Sequence, residues 1–402
     1  MKFPAVRRVV VAVAALAVAL SACSTGGSGE SDGKVTLTML THYGNDPLKS
    51  GLQKIVDEWN KKNPDIQVKT QAVKYEDLLQ TITVRQTGGK APDIIQAYSL
   101  WGGQLARSRV LADVPADIAK DIESNYSKSA VGSVTVDDKV VGYPTEVQTY
   151  ALYYNKKLLA DAGVTVPPKT WAELEQTAAK ATERDSKGNI QVAGFGLMSG
   201  WDSAVVHPFL SLLNAAGGSY LSEDGKKAAF DSEAGKAALT LEKKLIDAKS
   251  ADPAINVLNG FTSGKVAMTI NAGWWIGSLK TAMKDEYENV GVVPIPGPTA
   301  DAKGSLAYGY FAGVNAKSRH QEAAWKFLKW MNAEKGKDGA TRMGSFQFSV
   351  GTIPGRVSDA KALEGTIDDP NYEPFVEALE YAMPEPNPAN GQAMKTSLQK
   401  SI

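Results

Sequence analysis

The chain has 402 residues, with 44 Lys and Arg against 44 Asp and Glu, so its formal net charge is zero. That balance argues against nucleic acid or an anionic membrane surface as a partner, because both call for a basic face. Hydrophobic residues make up 43% and charged residues 22%, which excludes a wholly disordered or fibrous chain. A chain longer than roughly 250 to 300 residues tends to divide into domains, and we expect two lobes.

The N-terminal residues predict an export signal. Three basic residues precede an apolar run at 9–20, which is shorter than the roughly 20 residues of a membrane span. The motif Leu20-Ser21-Ala22-Cys23 resembles the lipobox of bacterial lipoproteins, in which the cysteine is lipidated; an ordinary signal with a chance cysteine is the alternative. We expect 1–22 to be a lipoprotein signal peptide and Cys23 to anchor an extracytoplasmic protein to the bacterial cell membrane.

Residues 23–33 are rich in Ser and Gly, a composition that predicts a flexible tether. Strand and helix signals then alternate, with β-branched residues at period two followed by apolar residues at helical spacing. The predicted segments are strand 35–40, helix 48–60, strand 66–73, helix 75–87 and strand 93–97. This order predicts an α/β fold with a mostly parallel sheet covered by helices on both faces.

Ligands of such sheets bind in the crevice beyond the carboxyl ends of the strands. The residues that follow the first and third predicted strands, 41–44 and 98–101, are polar and aromatic. Farther along, Thr170 and Glu173 form a capping-box pattern that predicts a helix from Trp171. Apolar residues at helical spacing predict another helix at 322–331.

Motifs of catalysis and metal binding are absent from the sequence. His42, His207 and His320 are far apart and in no metal-type spacing. There is no Ser nucleophile elbow, phosphate-binding P-loop or dinucleotide-binding glycine motif. We therefore expect no enzymatic activity, no metal and no cofactor. Paired carboxylates leave a glycosidase open, because Asp and Glu are abundant and their spatial separation is unknown.

The chain has eight Trp residues, and several follow predicted strands. Flat aromatic faces bind sugar rings, because the C–H face of a pyranose is apolar and matches the electron-rich face of an aromatic ring. Trp274 is predicted to be such a site residue. Four others lie on predicted helix faces and are expected in the core: Trp59, Trp171, Trp325 and Trp330.

Nearly the whole predicted mature chain resembles a known family. The matching segments, in order behind the lipobox pattern, are 89–95, 142–146, 150–156, 261–268, 271–274 and 323–328. In these segments the sequence is similar to extracellular solute-binding proteins of the carbohydrate type, which feed ABC importers and include maltodextrin-binding proteins. The resemblance implies a two-lobed periplasmic-binding-protein-like fold of type II. Each lobe would be a mostly parallel sheet flanked by helices, with the ligand cleft between them.

The resemblance also implies where the lobes and the ligand site lie. Lobe 1 would combine 34–147 with 291–342, and lobe 2 would combine 148–290 with 343–402. Gln148 stands where maltodextrin binders carry a carboxylate, which puts that ligand class in doubt. The predicted ligand-binding residues are Trp274, Tyr98, Ser99, Gln148, Glu146, Trp201, His42, Tyr43 and Tyr310. For His42 and Tyr43 a solvent-facing turn is the alternative, and for Glu146 a hinge hydrogen bond.

The predicted function is that of a monomeric substrate-binding lipoprotein of an ABC transporter. It would capture a mono- or oligosaccharide between hinged lobes and pass it to the permease subunits in the membrane. The alternatives are a binding protein for a non-sugar solute, such as a peptide, polyamine or phosphonate, and a secreted glycosidase. A charged solute would require a cluster of opposite charge in the cleft, whereas the predicted loop residues are mostly neutral and aromatic.

Overall fold

The computed structural model describes residues 34–363 and 369–402, so the predicted signal peptide, tether and Cys23 lie outside the described residues. The strands are β1 (Val35–Thr41), β2 (Ile66–Ala72), β3 (Ile94–Tyr98), β4 (Thr135–Val136), β5 (Lys139–Val140), β6 (Tyr143–Gln148), β7 (Tyr150–Asn155), β8 (Glu183–Arg184), β9 (Ile190–Val192), β10 (Met268–Ala272), β11 (Val290–Val293), β12 (Leu306–Val314) and β13 (Met383–Pro384).

The helices are α1 (Leu48–Lys62), α2 (Tyr75–Thr87), α3 (Gly102–Arg107), α4 (Ala116–Asn125), α5 (Lys128–Ser133), α6 (Lys156–Asp161), α7 (Trp171–Ala181), α8 (Asp202–Ala215), α9 (Glu233–Asp247), α10 (Val257–Thr262), α11 (Trp275–Met283), α12 (Gln321–Asn332), α13 (Arg342–Ser349), α14 (Val357–Leu363), α15 (Glu373–Ala378) and α16 (Gly391–Ser401). None of these helices of the described ranges is both long and apolar enough to cross a membrane. The capping box predicted at Thr170 and Glu173 is present at the start of α7.

The first lobe is built on a six-stranded sheet with the order β13-β12-β3-β1-β2, in which β6 also pairs with β12. β1 pairs in parallel with β2 and β3, as the alternation of strands and helices predicts, because each helix returns the chain to the same end of the sheet. β12 runs antiparallel to both β3 and β6. The carboxyl ends of β1, β3 and β6 therefore lie beside the amino-terminal half of β12, at the same end of the sheet's strands.

The second sheet corrects the prediction that both lobes hold mostly parallel sheets. Its order is β10-β7-β11, and both pairings are antiparallel. Parallel contacts beside it are isolated bridges, from Ala193 to Val266 and from Gly196 to Thr269. The physical reason is the connection: β10 and β11 are joined through α11 and run in the same direction, whereas β7 lies between them in the opposite direction.

Among the described residues, the buried apolar side chains form one cluster around the first sheet and two around the second. The first cluster includes Leu37 and Ile95 from the sheet, and it extends to Met343 and Phe346 on α13. The four tryptophans expected in the core are all buried, which confirms that prediction: Trp59, Trp171, Trp325 and Trp330.

The predicted lobe boundaries stay a prediction, but the strand pairing locates two passages of the chain. Thr149 is the single residue between β6 of the first sheet and β7 of the second. β11 still pairs with β7, whereas β12 belongs to the first sheet, so the chain returns between Val293 and Leu306. Near the C-terminus, β13 pairs with β12 at the edge of the first sheet.

A buried glutamate on α9 predicts pH-dependent stability. Glu242 is 8% exposed, and burial raises the pKa of its carboxyl from 4.5 to about 8. The unfolded chain loses this proton at lower pH than the folded chain, so Glu242 reduces stability progressively as the pH rises through that window. We expect Glu242→Gln to raise the free energy of unfolding by about 2 kcal/mol at pH 8 and to change it little at pH 4.5.

Urea unfolding at the two pH values checks this expectation. Glu233→Gln is the matched control, because Glu233 is an exposed glutamate on the same helix. A gain of equal size at pH 4.5 and pH 8 would contradict the assignment of the effect to the buried charge.

Candidate ligand-binding cleft

Strand ends from both sheets meet at one cleft. His42 follows β1, Tyr98 ends β3, and Glu146 and Gln148 lie at the end of β6, all at the same edge of the first sheet. Trp274 lies just after β10 of the second sheet and precedes α11. The topology thus brings together residues that are far apart in sequence, in the crevice beyond the strand ends where ligands of α/β sheets bind.

Two cavities occupy the cleft. Cavity A has a volume of about 1180 Å³, and its lining includes His42, Glu146, Gln148, Lys280 and Thr352. Cavity B has a volume of about 740 Å³, and its lining includes Tyr75, Tyr98, Trp101, Trp201 and Asn271. Three aromatic residues line both cavities: Trp274, Tyr308 and Tyr310. The two cavities therefore meet at these rings.

The shared aromatic residues are held by strand geometry and by one hydrogen bond. Tyr308 and Tyr310 are two residues apart on β12, so their side chains face the same side of the strand. β12 pairs with β6 so that Tyr308 is opposite Gln148 and Tyr310 is opposite Glu146. The backbone N–H of Trp274 donates to Oε1 of Gln148 at 3.0 Å. Gln148 thus positions Trp274 and links the first sheet to the second.

Glu146 lines cavity A and is only 7% exposed. The Tyr43 hydroxyl donates to its Oε2 at 2.8 Å, and Nε2 of Gln347 donates to the same hydroxyl at 2.9 Å. Burial raises the pKa of the Glu146 carboxyl to about 7, although the hydrogen bond from Tyr43 acts in the opposite direction. Oε1 accepts no hydrogen bond from the described residues, so it is free to accept one from a ligand.

His42 forms the neighbouring wall of cavity A. Its ring stacks on Tyr310 with the centroids 4.2 Å apart. Burial lowers the pKa of His42 to about 4, so the imidazole is neutral at pH 7. Its Nδ1 is buried and has no hydrogen-bond partner within the described part of the chain. A neutral imidazole of this kind can exchange one hydrogen bond with a ligand.

Aromatic rings form much of the wall of cavity B. Tyr75 stacks on Trp101 with the centroids 5.6 Å apart, and Trp201, just before α8, is 42% exposed. Asn271 on β10 adds a polar group, because its buried Nδ2 has no partner among residues 34–363 and 369–402. Flat apolar surface beside an unpaired amide donor suits a sugar ring, which has apolar faces and hydroxyl edges.

A buried ionic cluster, formed by Tyr98, Tyr150, His207, Glu385 and Lys395, lies behind cavity B. The Nζ of Lys395 lies 3.0 Å from Oε1 of Glu385 and 2.7 Å from Nε2 of His207, and it donates to the Tyr98 hydroxyl at 2.6 Å. Tyr98 in turn donates to Glu385. His207, Glu385 and Lys395 are each no more than 1% exposed. The cluster connects both sheets to the C-terminal segment.

The contacts of Lys395 determine the protonation of this cluster. A lysine ammonium only donates, so Nε2 of His207 accepts, and Nδ1 carries the proton and donates to the Tyr150 hydroxyl at 2.8 Å. Burial and Lys395 both lower the pKa of His207, in keeping with a neutral ring. Burial would raise the pKa of Glu385, but Lys395 and the surrounding hydrogen bonds outweigh it and lower that pKa to about 2.

The structure places most of the predicted ligand-binding residues on the cleft wall. Those that line a cavity are His42, Tyr98, Glu146, Gln148, Trp201, Trp274 and Tyr310. Ser99 is fully buried, and its hydroxyl accepts from the backbone N–H of Gly309 at 3.3 Å. Tyr43 supports Glu146 from behind. Ligand contact by any of these residues stays a prediction.

The sequence does not indicate several of the residues in and behind the cleft. The predicted ligand-binding set omits Tyr308, although its spacing of two from Tyr310 places it on the same face of a strand. Tyr75 carried no signal beyond its position at the start of a predicted helix, and Asn271 carried none beyond its place in a segment that resembles the family. Glu385 and Lys395 carried none at all, because the partners outside their own segment, His207 and Tyr98, are between 178 and 297 residues away.

Two orientations that the sequence leaves open are decided by packing. Trp275 points away from the cleft: it is 2% exposed, and its ring centroid lies 5.0 Å from that of Tyr153. Arg356 also turns away from the cleft, because its guanidinium donates to both carboxylate oxygens of Asp121 at 2.8 and 2.9 Å.

Comparison with known proteins gives consistent matches over most of the chain. A family model described as bacterial extracellular solute-binding protein matches residues 45–338. The diacetylchitobiose binding protein DasA of Streptomyces coelicolor is 28% identical, over 88% of this chain and 83% of its own. The maltodextrin-binding protein MdxE of Bacillus subtilis is also 28% identical, over 80% of this chain and 75% of its own.

A solved structure confirms the predicted fold class. The GacH receptor of Streptomyces glaucescens, determined unliganded and in complex with acarbose, superposes with a TM-score of 0.76 and 27% identity. The match covers 91% of this chain and 92% of the receptor chain. The two-lobed α/β architecture is thus shared along almost the entire described chain.

Proposed function

The chain belongs to the bacterial extracellular solute-binding proteins, and on that premise we propose that it captures a mono- or oligosaccharide between its lobes and delivers it to the permease of an ABC importer. The observation that carries the proposal is the set of rings shared by the two cavities, Trp274, Tyr308 and Tyr310. They come from both sheets and present flat apolar surface beside hydrogen-bonding groups. Relatives named for diacetylchitobiose and maltodextrin support a carbohydrate ligand.

The size of the cleft favours an oligosaccharide. Cavity A alone, at about 1180 Å³, exceeds the roughly 300 to 1,000 Å³ of ordinary small-molecule pockets. Cavity B continues from it beyond the shared rings. A chain of sugar rings can extend through both cavities, whereas a single ring would leave much of the aromatic wall bare.

Capture requires the lobes to close around the sugar. A ligand shifts an opening equilibrium only by its difference in affinity for the two states, so it must contact both lobes. Trp274 on one side and Tyr310 on the other provide such contacts. We retain the division of 34–147 plus 291–342 from 148–290 plus 343–402 as a proposal, with hinge motion at the passages of the chain between the sheets.

The proposal includes a cellular setting. Binding without turnover is the activity, so the sugar leaves the cleft chemically unchanged. The lipobox pattern supports lipidation of Cys23 after removal of residues 1–22, which would anchor a monomer to the outer face of the cell membrane.

A thermal-shift screen of residues 24–402 tests the proposal. The panel contains mono- and oligosaccharides together with amino acids and polyamines. A ligand at 100 times its Kd adds about 2.7 kcal/mol of stability by mass action, which a melting curve resolves easily. We expect one group of sugars to raise the melting temperature and to be recovered intact. Silence of all sugars beside a response to a charged solute would overturn the carbohydrate assignment, and recovery of cleaved sugar would favour a glycosidase.

A further inference from the structure

We propose that the preferred sugar carries a protonated amine and that the Glu146 carboxylate in cavity A holds this ammonium group. The inference rests on the proposed function and narrows its ligand to amino sugars. It comes from the charges that line the cleft and from the hydrogen-bonding capacity that the described residues leave unused around Glu146.

The charge of the cleft is one-sided although the whole chain is neutral. Asp46 and Glu146 line cavity A, and Glu76 and Asp202 line cavity B. Among the residues that line the two cavities, all within the described part of the chain, Lys280 is the sole Lys or Arg. Its Nζ already forms a salt bridge with Asp369 at 2.8 Å. The cleft therefore offers carboxylates without cations of its own to balance them.

Glu146 is the most deeply placed of these carboxylates. The titratable groups around it are the tyrosines Tyr43, Tyr308 and Tyr310, together with His42, which is neutral. Tyr43 occupies one carboxylate oxygen and leaves Oε1 unused. A buried carboxylate without a counter-ion is costly, because water no longer solvates its charge. A ligand ammonium group would supply both the missing charge and the missing donor.

The hydrogen-bonding and aromatic groups around Glu146 suit an ammonium group. An ammonium has three N–H donors, and beside cavity A lie the unused acceptor Oε1 of Glu146 and the ring of His42, whose unpaired Nδ1 is buried. The two side chains are neighbours through Tyr310, which stacks on His42 and is opposite Glu146 in the strand pair. The faces of Tyr308 and Tyr310 also attract cations electrostatically. A hydroxyl group, with one donor and no charge, would leave part of this capacity unused.

Isothermal titration at pH 7 with matched disaccharides tests the inference. The β-1,4 dimer of glucosamine and cellobiose share the same skeleton and differ in an amine or a hydroxyl at position 2 of each ring. Because hydrogen bonds to charged groups are stronger than neutral ones, we expect the amine dimer to bind at least 10-fold more tightly than cellobiose. We also expect it to bind more tightly than its N-acetylated form, which keeps the nitrogen but loses the charge.

The variant Glu146→Gln assigns the preference to one residue. We expect it to reduce the ratio of the two affinities to about 2-fold or less. Glu123→Gln removes an equal charge from an exposed position on α4 and should leave the ratio unchanged. An unchanged ratio in Glu146→Gln would overturn the role of Glu146. The ratio measured on the unaltered chain tests the amine preference even where the variant fails to fold.

The remaining outcomes separate this inference from the proposed function. Equal binding of the two dimers, or tighter binding of cellobiose or of the N-acetylated dimer, overturns the amine preference and leaves sugar capture in place. Silence of both dimers beside a response to another neutral sugar does the same. Silence of every sugar overturns both proposals.

Discussion

Replacing Trp274 by alanine is expected to weaken sugar binding by roughly 30- to 150-fold. Trp274 is partly exposed and lines both cavities, so a bound sugar chain must pass its ring. The loss combines the apolar area of the indole with its specific stacking on a sugar face, together about 2 to 3 kcal/mol. Every 1.4 kcal/mol is a tenfold change in Kd, which gives the expected range. Isothermal titration with the best sugar of the panel measures it.

The conservative variant Trp274→Phe distinguishes stacking from general damage. A phenyl ring keeps a flat apolar face at the same place, so we expect it to recover most of the affinity. The unliganded alanine variant should unfold within about 1 kcal/mol of the parent, because the side chain is only partly buried and packs at the margin of two apolar clusters. A Kd for Trp274→Ala within twofold of the parent value would place the ligand elsewhere.

Replacing Lys395 by methionine is expected to destabilise the fold by about 3 to 5 kcal/mol at pH 8. Lys395 is 1% exposed and pairs with Glu385, which is fully buried. Removing one partner of a buried ion pair leaves the other charge without solvent or counter-ion, and that costs more than the intact pair contributes. The Tyr98 hydroxyl and Nε2 of His207 lose a donor in the same step. Urea unfolding measures the difference.

The loss of stability caused by Lys395→Met should become smaller as the pH falls. With the lysine gone, Nε2 of His207 can take up a proton and donate to Oε1 of Glu385, which lies 2.9 Å away. The folded variant then binds a proton more tightly than the unfolded chain does, so its stability rises as the pH falls toward the unfolded histidine pKa near 6.5 and levels off below it. In the parent, the pKa of Glu385 is lowered to about 2, so its contribution is present above pH 4.5 and is lost below it.

Two controls test the explanation by the ion pair. Lys400 is an exposed lysine on the same helix, and Lys400→Met should change stability by no more than about 0.5 kcal/mol. The double variant Lys395→Met with Glu385→Met removes both charges and should be more stable than Lys395→Met alone. A double variant that is less stable by the full sum of the single effects would rule out the pairing as the cause.

The fold of the first lobe could be predicted from the sequence because its strand and helix signals are local. The helix predicted at 75–87 has the observed bounds of α2, and the strands near 35, 66 and 94 pair in parallel as their order requires. The fold of the second lobe was less predictable, because more than a hundred residues separate β7 from β10 and β11 and leave its direction relative to them open. No local pattern distinguishes an antiparallel from a parallel neighbour at that distance.

The roles of the cleft residues were likewise predictable only in part. The aromatic character of Trp274, Trp201 and Tyr310 and their places beside strand ends were readable in the sequence. The sequence did not show that Gln148 accepts a hydrogen bond from the backbone of Trp274 or that Tyr43 donates one to Glu146. The sequence shows that a residue can donate or accept a hydrogen bond, but the partner depends on the pairing of β6 with β12 and on the approach of α11.

By itself, the sequence determined the α/β class, the order of strands and helices at the start of the first lobe, the family resemblance and the aromatic nature of the site. These follow from periodicity, capping and residue chemistry, which act over a few residues at a time. Only the tertiary structure decided which polar groups stay unpaired in the cleft, which way Trp275 turns, and that Glu385 and Lys395 close a charged cluster with His207. Burial and pairing between distant segments are properties of the packed chain, because they depend on which surfaces exclude water together.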